Sequence, residues 1–521
     1  MTFPTPTRVL VLAGSIAISG MSIAADRDSE RAQPGDAFAW TTSFEGTRSS
    51  LCNAIANTKA GAVIAGQFAG ELKSGQRTRL QNSGRSDGFV ASLSDSGKVL
   101  WQVAVGGEGN DQLRAIEIDS DGNIYATGFV SGAAKDDSQI IPASAAGPDA
   151  YLLKLSPNGK TLWTRRLAGP FADAGTALAI AGDGTVFWGG HFQKEARLLE
   201  YADMPAIVSD GGVDVFVAAF DPQGKPKWLR SFGGKQADEL VDLAADGHGN
   251  VVVAGSYESL FPLRREKGVD FLRSKGGTDA FLMRLDGQGA LDWAKSISGP
   301  QQEYPVAISI NGDQILLAGN FQSRLNVDSK TTLQSAGVFD GFIGAWSMQG
   351  NLAWARRFGG AQAVTVQAMH AGHDQTDVVG SFQGKLDFGS DAGIADIESA
   401  SVTPFVATIN DKGRWMGARE GAAGAKADFL AATTSAEGNL LVCGISKGEF
   451  GNDDERREEE HREEEHRDSR ANSLAERDTD KSEESEVTRE RDRDGDGDSS
   501  DAEQEEEEKE RSVAFVAKLR K

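Results

Sequence analysis

Histidine and cysteine are both scarce in this chain: six and two residues in 521. Two cysteines cannot build a four-thiolate zinc site or a disulfide-dense scaffold. His370 and His373 stand three apart beside Asp374, but this spacing in a turn does not make side chains converge, so they read as a solvated turn. No Walker loop and no His-Glu-x-x-His occurs, which removes the usual nucleotide and zincin signals. Basic residues are outnumbered, 54 Lys+Arg against 77 Asp+Glu, for a net charge of −23, which argues against nucleic acid as a partner. Beyond residue 25 no apolar run is long enough to span a bilayer, so no transmembrane segment is expected.

What the chain has is a repeated phrase. Its clearest copy is Asp149-Ala-Tyr-Leu-Leu-Lys-Leu-Ser-Pro-Asn-Gly159-Lys-Thr-Leu-Trp163. The closing tryptophans are Trp40, Trp101, Trp163, Trp228, Trp293, Trp354 and Trp415, at spacings (by subtraction) of 61, 62, 65, 65, 61 and 61. A near-constant period marks a repeat architecture. Between Trp101 and Trp163 four segments have strand character: 113–118, 123–130, 149–155 and 161–167. Each is bounded by turn chemistry such as Asp-Ser-Asp-Gly-Asn at 119–123 and Ser-Pro-Asn-Gly at 156–159. Four antiparallel strands per repeat, here named A to D, make one blade of a β-propeller.

Other landmarks keep step. Strand B carries Gly66, Gly128, Gly190, Gly255, Gly319, Gly380 and Gly444, and strand C opens on an aromatic such as Phe89, Tyr151, Phe216 or Phe281. The glycines are expected to allow close backbone approach where blades converge on the axis. The aromatics and the Trp set are expected to fill space between blades. The order of strand, Asp-x-x-Gly-Asn turn, strand, Gly-x-Phe, Asp-Ala-Phe and Gly-x-x-x-Trp resembles the bacterial β-propeller repeat family of SBBP type, over about residues 36–448 and 512–521. Gly-x-x-x-Trp is also similar to the docking motif of quinoprotein-type propellers. Thr403-Pro-Phe and Val513-Ala-Phe depart from the pattern, lacking the strand C Asp. The resemblance implies a fold and no particular activity.

Residues 1–25 have a charged start, an apolar run from Val9 to Ile23 and a small-residue end at Ala24-Ala25, the form of a secretory signal peptide. Residues 26–35 form a linker. Residues 36–44 then read as a strand D with no A to C ahead of it, and the far end supplies A and B at 428–435 and 439–446, with C at 513–520. The expected fold is therefore all-β: a seven-bladed propeller of four-stranded antiparallel blades, spanning 36–448 and 512–521 and closed by the N-terminal strand, which shields edges left unpaired at the seam. Cys52 and Cys443 fall on either side of that seam. Two readings are open. A bridge would add about 4–5 kcal/mol by closing so long a loop; alternatively the two are buried small hydrophobes, preferred because both positions are apolar in other repeats.

One polar position is periodic. Ten residues after the Trp come Asp111, Asp173, Asp238 and Glu303, with Asp428 equivalent after a longer loop and Ser50 and Val364 in the remaining repeats. At the entry to an innermost strand A, such carboxylates are expected either to ring the channel mouth and attract cations, or to bond the backbone of their own Gly-Gly loops.

The final blade carries an insertion, 449–511. Over 452–511 there are 28 Asp+Glu and 12 Lys+Arg, a net of −16, leaving −7 for the rest of the chain. With no Phe, Trp, Tyr or Ile in 452–511, this low-complexity acidic segment is expected to be disordered. Within it Asp492, Asp494, Asp496, Asp498, Ser500 and Glu503 fall on the ligand positions of an EF-hand-like calcium loop, with Gly497 at the sharp turn, although Ser499 replaces the usual apolar residue and no amphipathic helix flanks the loop. Calcium is the one cofactor suggested, and titration with and without 452–511 separates this loop from the carboxylate ring.

These features suggest an exported, non-enzymatic and monomeric scaffold, periplasmic or secreted, whose acidic arm engages calcium or a basic partner on the loop-rich face. The alternative is an enzyme resembling quinoprotein or lyase propellers, with a small ligand in the channel.

Overall fold

The computed structural model describes residues 37–447 and 512–520, apart from 75–77, 133, 136–139, 142–146, 266–267, 373, 391 and 422–426. The signal-like segment, the linker and the acidic insertion lie outside it. Among the described residues every regular element is a β-strand.

The alternation of apolar runs and Gly-bearing turns produces antiparallel groups of four. In the first, Ser49–Thr58, Gly61–Ala69, Asp87–Ser94 and Val99–Gly107 pair in that order. The order recurs from strands A at Gln112–Ile118, Ala174–Ile180, Asp238–Ala245, Glu303–Asn311 and Val364–Ala371. In the last group Ala427–Thr434, Leu440–Lys447 and Ser512–Leu519 are followed in the sheet by Phe38–Gly46, with Phe44 opposite Ala514. This is a propeller-like all-β repeat fold.

The core is shared between neighbouring groups. Leu113, Ile116 and Tyr151 of the second pack on Val63, Ala65 and Val90 of the first. Phe44, Cys52, Phe68 and Phe89 pack with Leu441, Cys443 and Val516, joining the first group to the last. There the two cysteines form a disulfide, Cα–Cα 5.7 Å, which corrects the preference for two unbridged thiols. Apolar equivalents elsewhere say only that the site is buried; at this junction both side chains that meet are cysteines.

The strand B glycines have a different role from the one expected. Every strand A carries a β-bulge opposite them, as between Leu113 and Ala115. The bulge pushes a carbonyl onto the glycine: a Cβ at Gly128 would lie 1.8 Å from Gln112 O, and one at Gly444 1.8 Å from Asp428 O. The close approach comes from the glycine's own neighbouring strand, not from the convergence of blades. Across the sheet the strand C aromatic covers the bare backbone, as Phe89 does at Gly66.

The periodic Trp links each group to the next. Trp354 Nε1 donates to Asp411 O at 2.9 Å, in the C–D turn of the following group, where Gly413 has φ +72° and a Cβ would meet the indole at 2.5 Å. Trp40, Trp101, Trp163, Trp228 and Trp293 donate likewise to Asp95, Pro157, Pro222, Gly287 and Met348 carbonyls. Trp415 is the exception, its Nε1 without a partner among the described residues. In the last group the C–D turn is replaced by the two chain ends, Leu519 beside Phe38. Trp354→Phe should therefore lower unfolding free energy by about 1 kcal/mol, the worth of one hydrogen bond, while Trp415→Phe loses no such bond. Urea midpoints of the two variants check the difference.

Candidate functional site

The periodic acids enter strand A as expected. Asp111, Asp173, Asp238 and Glu303 are completely buried, and Asp428 is partly so. The first four reach back four residues to a glycine of the D–A loop or across to strand B. Asp111 accepts from Gly107 N and Ser131 N, both at 2.6 Å. Asp238 accepts from Gly234 N at 2.5 Å, Glu303 from Gly299 N at 2.8 Å, and Asp173 from Gln193 N at 3.2 Å. Ser50 occupies the same place, accepting from Gly46 N at 3.3 Å and from Ala514 N at 2.9 Å across the seam. These contacts match the second of the two expected arrangements: the acids are buried and accept from backbone N–H groups of their own loops or of strand B.

Three of these acids also face a second carboxylate from the preceding group: Asp111 faces Asp87, Asp238 faces Asp214, and Glu303 faces Asp279. Asp87, Asp149, Asp214 and Asp279 lie on their strands C, buried, and stand 24 residues (by subtraction) ahead of Asp111, Asp173, Asp238 and Glu303. They cap the turns before them, as Ser83 N to Asp87 at 3.0 Å and Asp210 N to Asp214 at 2.9 Å show. A Cβ at Gly106 would touch both Asp87 and Asp111, so glycine is what lets these carboxylates approach. Asp87 Oδ1, Asp214 Oδ1, Asp238 Oδ1 and Glu303 Oε1 have no hydrogen-bond donor among the described residues.

Two facing carboxylates in a dry junction cannot both ionise. Burial foremost, and then Asp214, push Asp238 up to about 8. Burial, with Asp87 as a lesser cause, pushes Asp111 to about 6 despite its two N–H donors. Burial raises Asp173 to about 8. Burial first, and then neighbouring Asp279, raise Glu303 to about 9. Opposite Val364, which stands in place of the strand A acid, Asp340 pairs instead with Arg357 at 2.5 Å. Asp149 also pairs with buried Arg166. The constant 24-residue separation was the available signal for these pairs, and reading Asp-Ala-Phe only as a strand marker concealed it.

The calcium-loop residues Asp492, Asp494, Asp496, Asp498, Ser500 and Glu503, and His373, lie outside the described residues. His370 is on strand A, not in a solvated turn; it is half-buried, with Nε2 2.9 Å from Thr434 Oγ1, and burial lowers its pKa. Among the described residues no three metal-ligating side chains come together. One Gly-x-Ser-x-Gly spacing does occur, at 444–448. Ser446 is buried inside the straight strand Leu440–Lys447, so it is no nucleophile elbow. Glu117 is raised to about 7, by burial first and then by Asp242 from a non-adjacent group.

The surface differs by face. Of eleven exposed large apolar side chains among the described residues, eight lie in B–C or D–A connections: Phe171, Leu199, Val208, Leu260, Val269, Phe271, Val338 and Val402. Leu100, Leu162 and Met416 sit at the other end, beside C–D turns. Much of the first set stands on prolonged B–C hairpins, such as Val251–Arg265 with Gly268–Leu285. There Leu260, Val269 and Phe271 share the outer side while Phe261 and Leu263 are buried.

No family model matches the chain. Over 295 residues it is 25% identical to the regulatory protein FlaEY of Caulobacter vibrioides, covering 51% of this chain and 29% of that protein. Over 368 residues it is 22% identical to an uncharacterised WD repeat-containing protein of Acanthamoeba polyphaga mimivirus, covering 58% and 26%. The chain thus spans less than a third of the length of these curated relatives. Among solved structures, the RRP9 WD40 repeats align over 78% of this chain and 91% of theirs, at 12% identity and TM-score 0.40. The phage phi92 endosialidase aligns over 93% and 70%, at 9% identity and TM-score 0.37.

Proposed function

We propose that the chain is an exported, non-enzymatic protein-binding scaffold: a seven-bladed propeller closed at the Cys52–Cys443 seam and presenting its B–C face to a partner. The carrying observation is the one-sided distribution of exposed apolar side chains, with Leu260, Val269 and Phe271 clustered on one hairpin, because clustered exposed apolar surface marks an interaction site. Closure is supported by the contact of strand A Ser49–Thr58 with strand A Ala427–Thr434. Membership of the SBBP-type repeats is supported by the motif order. The signal-like N-terminus and the disulfide favour an oxidising compartment. The acidic arm, inserted between Lys447 and Ser512, engages calcium or a basic partner. A photo-crosslinking amino acid at 269 or 271 should capture a protein partner in cells, and one at 162 or 416 should not. Equal capture from both faces, or none from either, removes the scaffold reading.

A second reading rests on Glu117. A carboxyl raised to about 7 by burial, then by Asp242, suits general acid–base work on a small central ligand. If that is the role, Glu117→Gln abolishes turnover without changing partner capture at 269.

A further inference from the structure

An open cleft of about 1260 Å³ runs along the outer edge between the fourth and fifth groups. Its polar lining is cationic, with Arg273, Lys275, Lys295, Lys330, Arg356 and Lys412 against a single acid, Asp328. Among the described residues none of the six cations forms an ion pair. Arg356 bonds only backbone carbonyls, Gly413 O and Ala355 O, and Arg273 lies over the Phe271 ring. The chain outside 452–511 is itself acidic, at −7, so this concentration of unpaired positive charge runs against its surroundings.

We propose that the cleft is the docking site of this chain's own acidic insertion, residues 452–511. Charge complementarity is the first argument: a segment of net −16 is repelled by most of the body and attracted to the patch where cations stand unneutralised. Topology is the second. The insertion replaces the B–C connection of the last group, between Lys447 and Ser512, and one end of the cleft is walled by the B–C connections of the fourth and fifth groups, through Phe271–Lys275 and Asn326–Thr331, while C–D turns with Gly350 and Lys412 wall the other. Reach is the third. The 64 residues 448–511 leave and return at paired residues, so a doubled-back strand of half that length extends about 100 Å. A body of this size has a radius of gyration of roughly 22 Å, so the cleft lies within range. The contact goes beyond the scaffold reading and does not depend on it. A basic partner would compete with the cleft for the arm.

The test is zero-length carbodiimide coupling of the full chain, in dilute solution, using an equal mixture of unlabelled and nitrogen-15-labelled protein. Coupled peptides should join Lys275, Lys295, Lys330 or Lys412 to carboxylates of 452–511 within one isotope, and should disappear in molar salt. Lys59, Lys98 and Lys160, on turns outside the cleft, are the controls. The variant Lys275→Glu/Lys295→Glu/Lys330→Glu removes three solvent-facing contacts and should lower coupling through Lys412 about tenfold. Coupling spread evenly over the control lysines overturns the proposal, as does its absence. Pairs of mixed isotope also overturn it, by placing the arm on a second copy.

Discussion

Replacing Cys52 and Cys443 together by alanine should lower the unfolding free energy of the oxidised protein by about 4–5 kcal/mol, and a reductant should do the same to the unmutated chain. The bridge spans 391 residues of sequence, so its loss frees nearly the whole chain in the unfolded state. In the folded state little else changes, because both side chains are fully buried in an apolar junction that alanine still occupies. What remains at the seam is the pairing of Phe38–Gly46 with Ser512–Leu519 and the backbone bond from Ala514 to Ser50 Oγ at 2.9 Å. Denaturant titration with and without reductant measures the difference. Iodoacetamide labelling of both cysteines in the unreduced, denatured protein would sink the idea.

The seam also shows how far the sequence could be read. Strand order was legible because every copy repeats the same turn glycines, and the isolated strand at 36–44 had one vacant place to go. The bridge was harder. At the equivalent junction of the first and second groups Leu113 packs with Ala65, so averaging over repeats predicts apolar contact and hides a pair particular to one junction. The acids were legible in part. Asp111 and its counterparts stood out as a periodic column, but a column read alone is compatible with a ring around an axis as well as with bonds to its own loops. Only pairing it with the strand C column 24 residues earlier places both carboxylates in one junction. The strand B glycines were noticed for the right property, close approach, and assigned to the wrong neighbour, because a β-bulge leaves no mark in hydrophobic periodicity.

Those buried carboxylates give the chain an unusual dependence on pH: unfolding free energy should fall as pH rises from about 4 to about 8. The folded state holds protons on Asp173 and Asp238 up to about 8, whereas the unfolded chain releases them near the ordinary aspartate value. Across that window the folded state binds more protons, so their stabilisation is complete below the unfolded value and lost as pH climbs through the folded one. Each retained proton contributes a slope of about 1.4 kcal/mol per pH unit. Aspartates held low, Asp119 and Asp246 among them, act below this window, withdrawing stability as pH falls past the ordinary value. The optimum therefore lies on the acid side of neutrality, between the two regimes. Asp238→Asn keeps the shape of the protonated carboxyl and donates to Asp214 Oδ1 at every pH. It should leave stability at pH 5 almost unchanged, raise it at pH 8, and remove one proton's share of the slope. Chemical denaturation at whole pH units from 5 to 8 measures both curves. A wild-type curve that is flat or rising over that range would mean that the junction carboxylates are ionised in the folded protein, and that the orphaned oxygens of Asp214 and Asp238 do not share a proton.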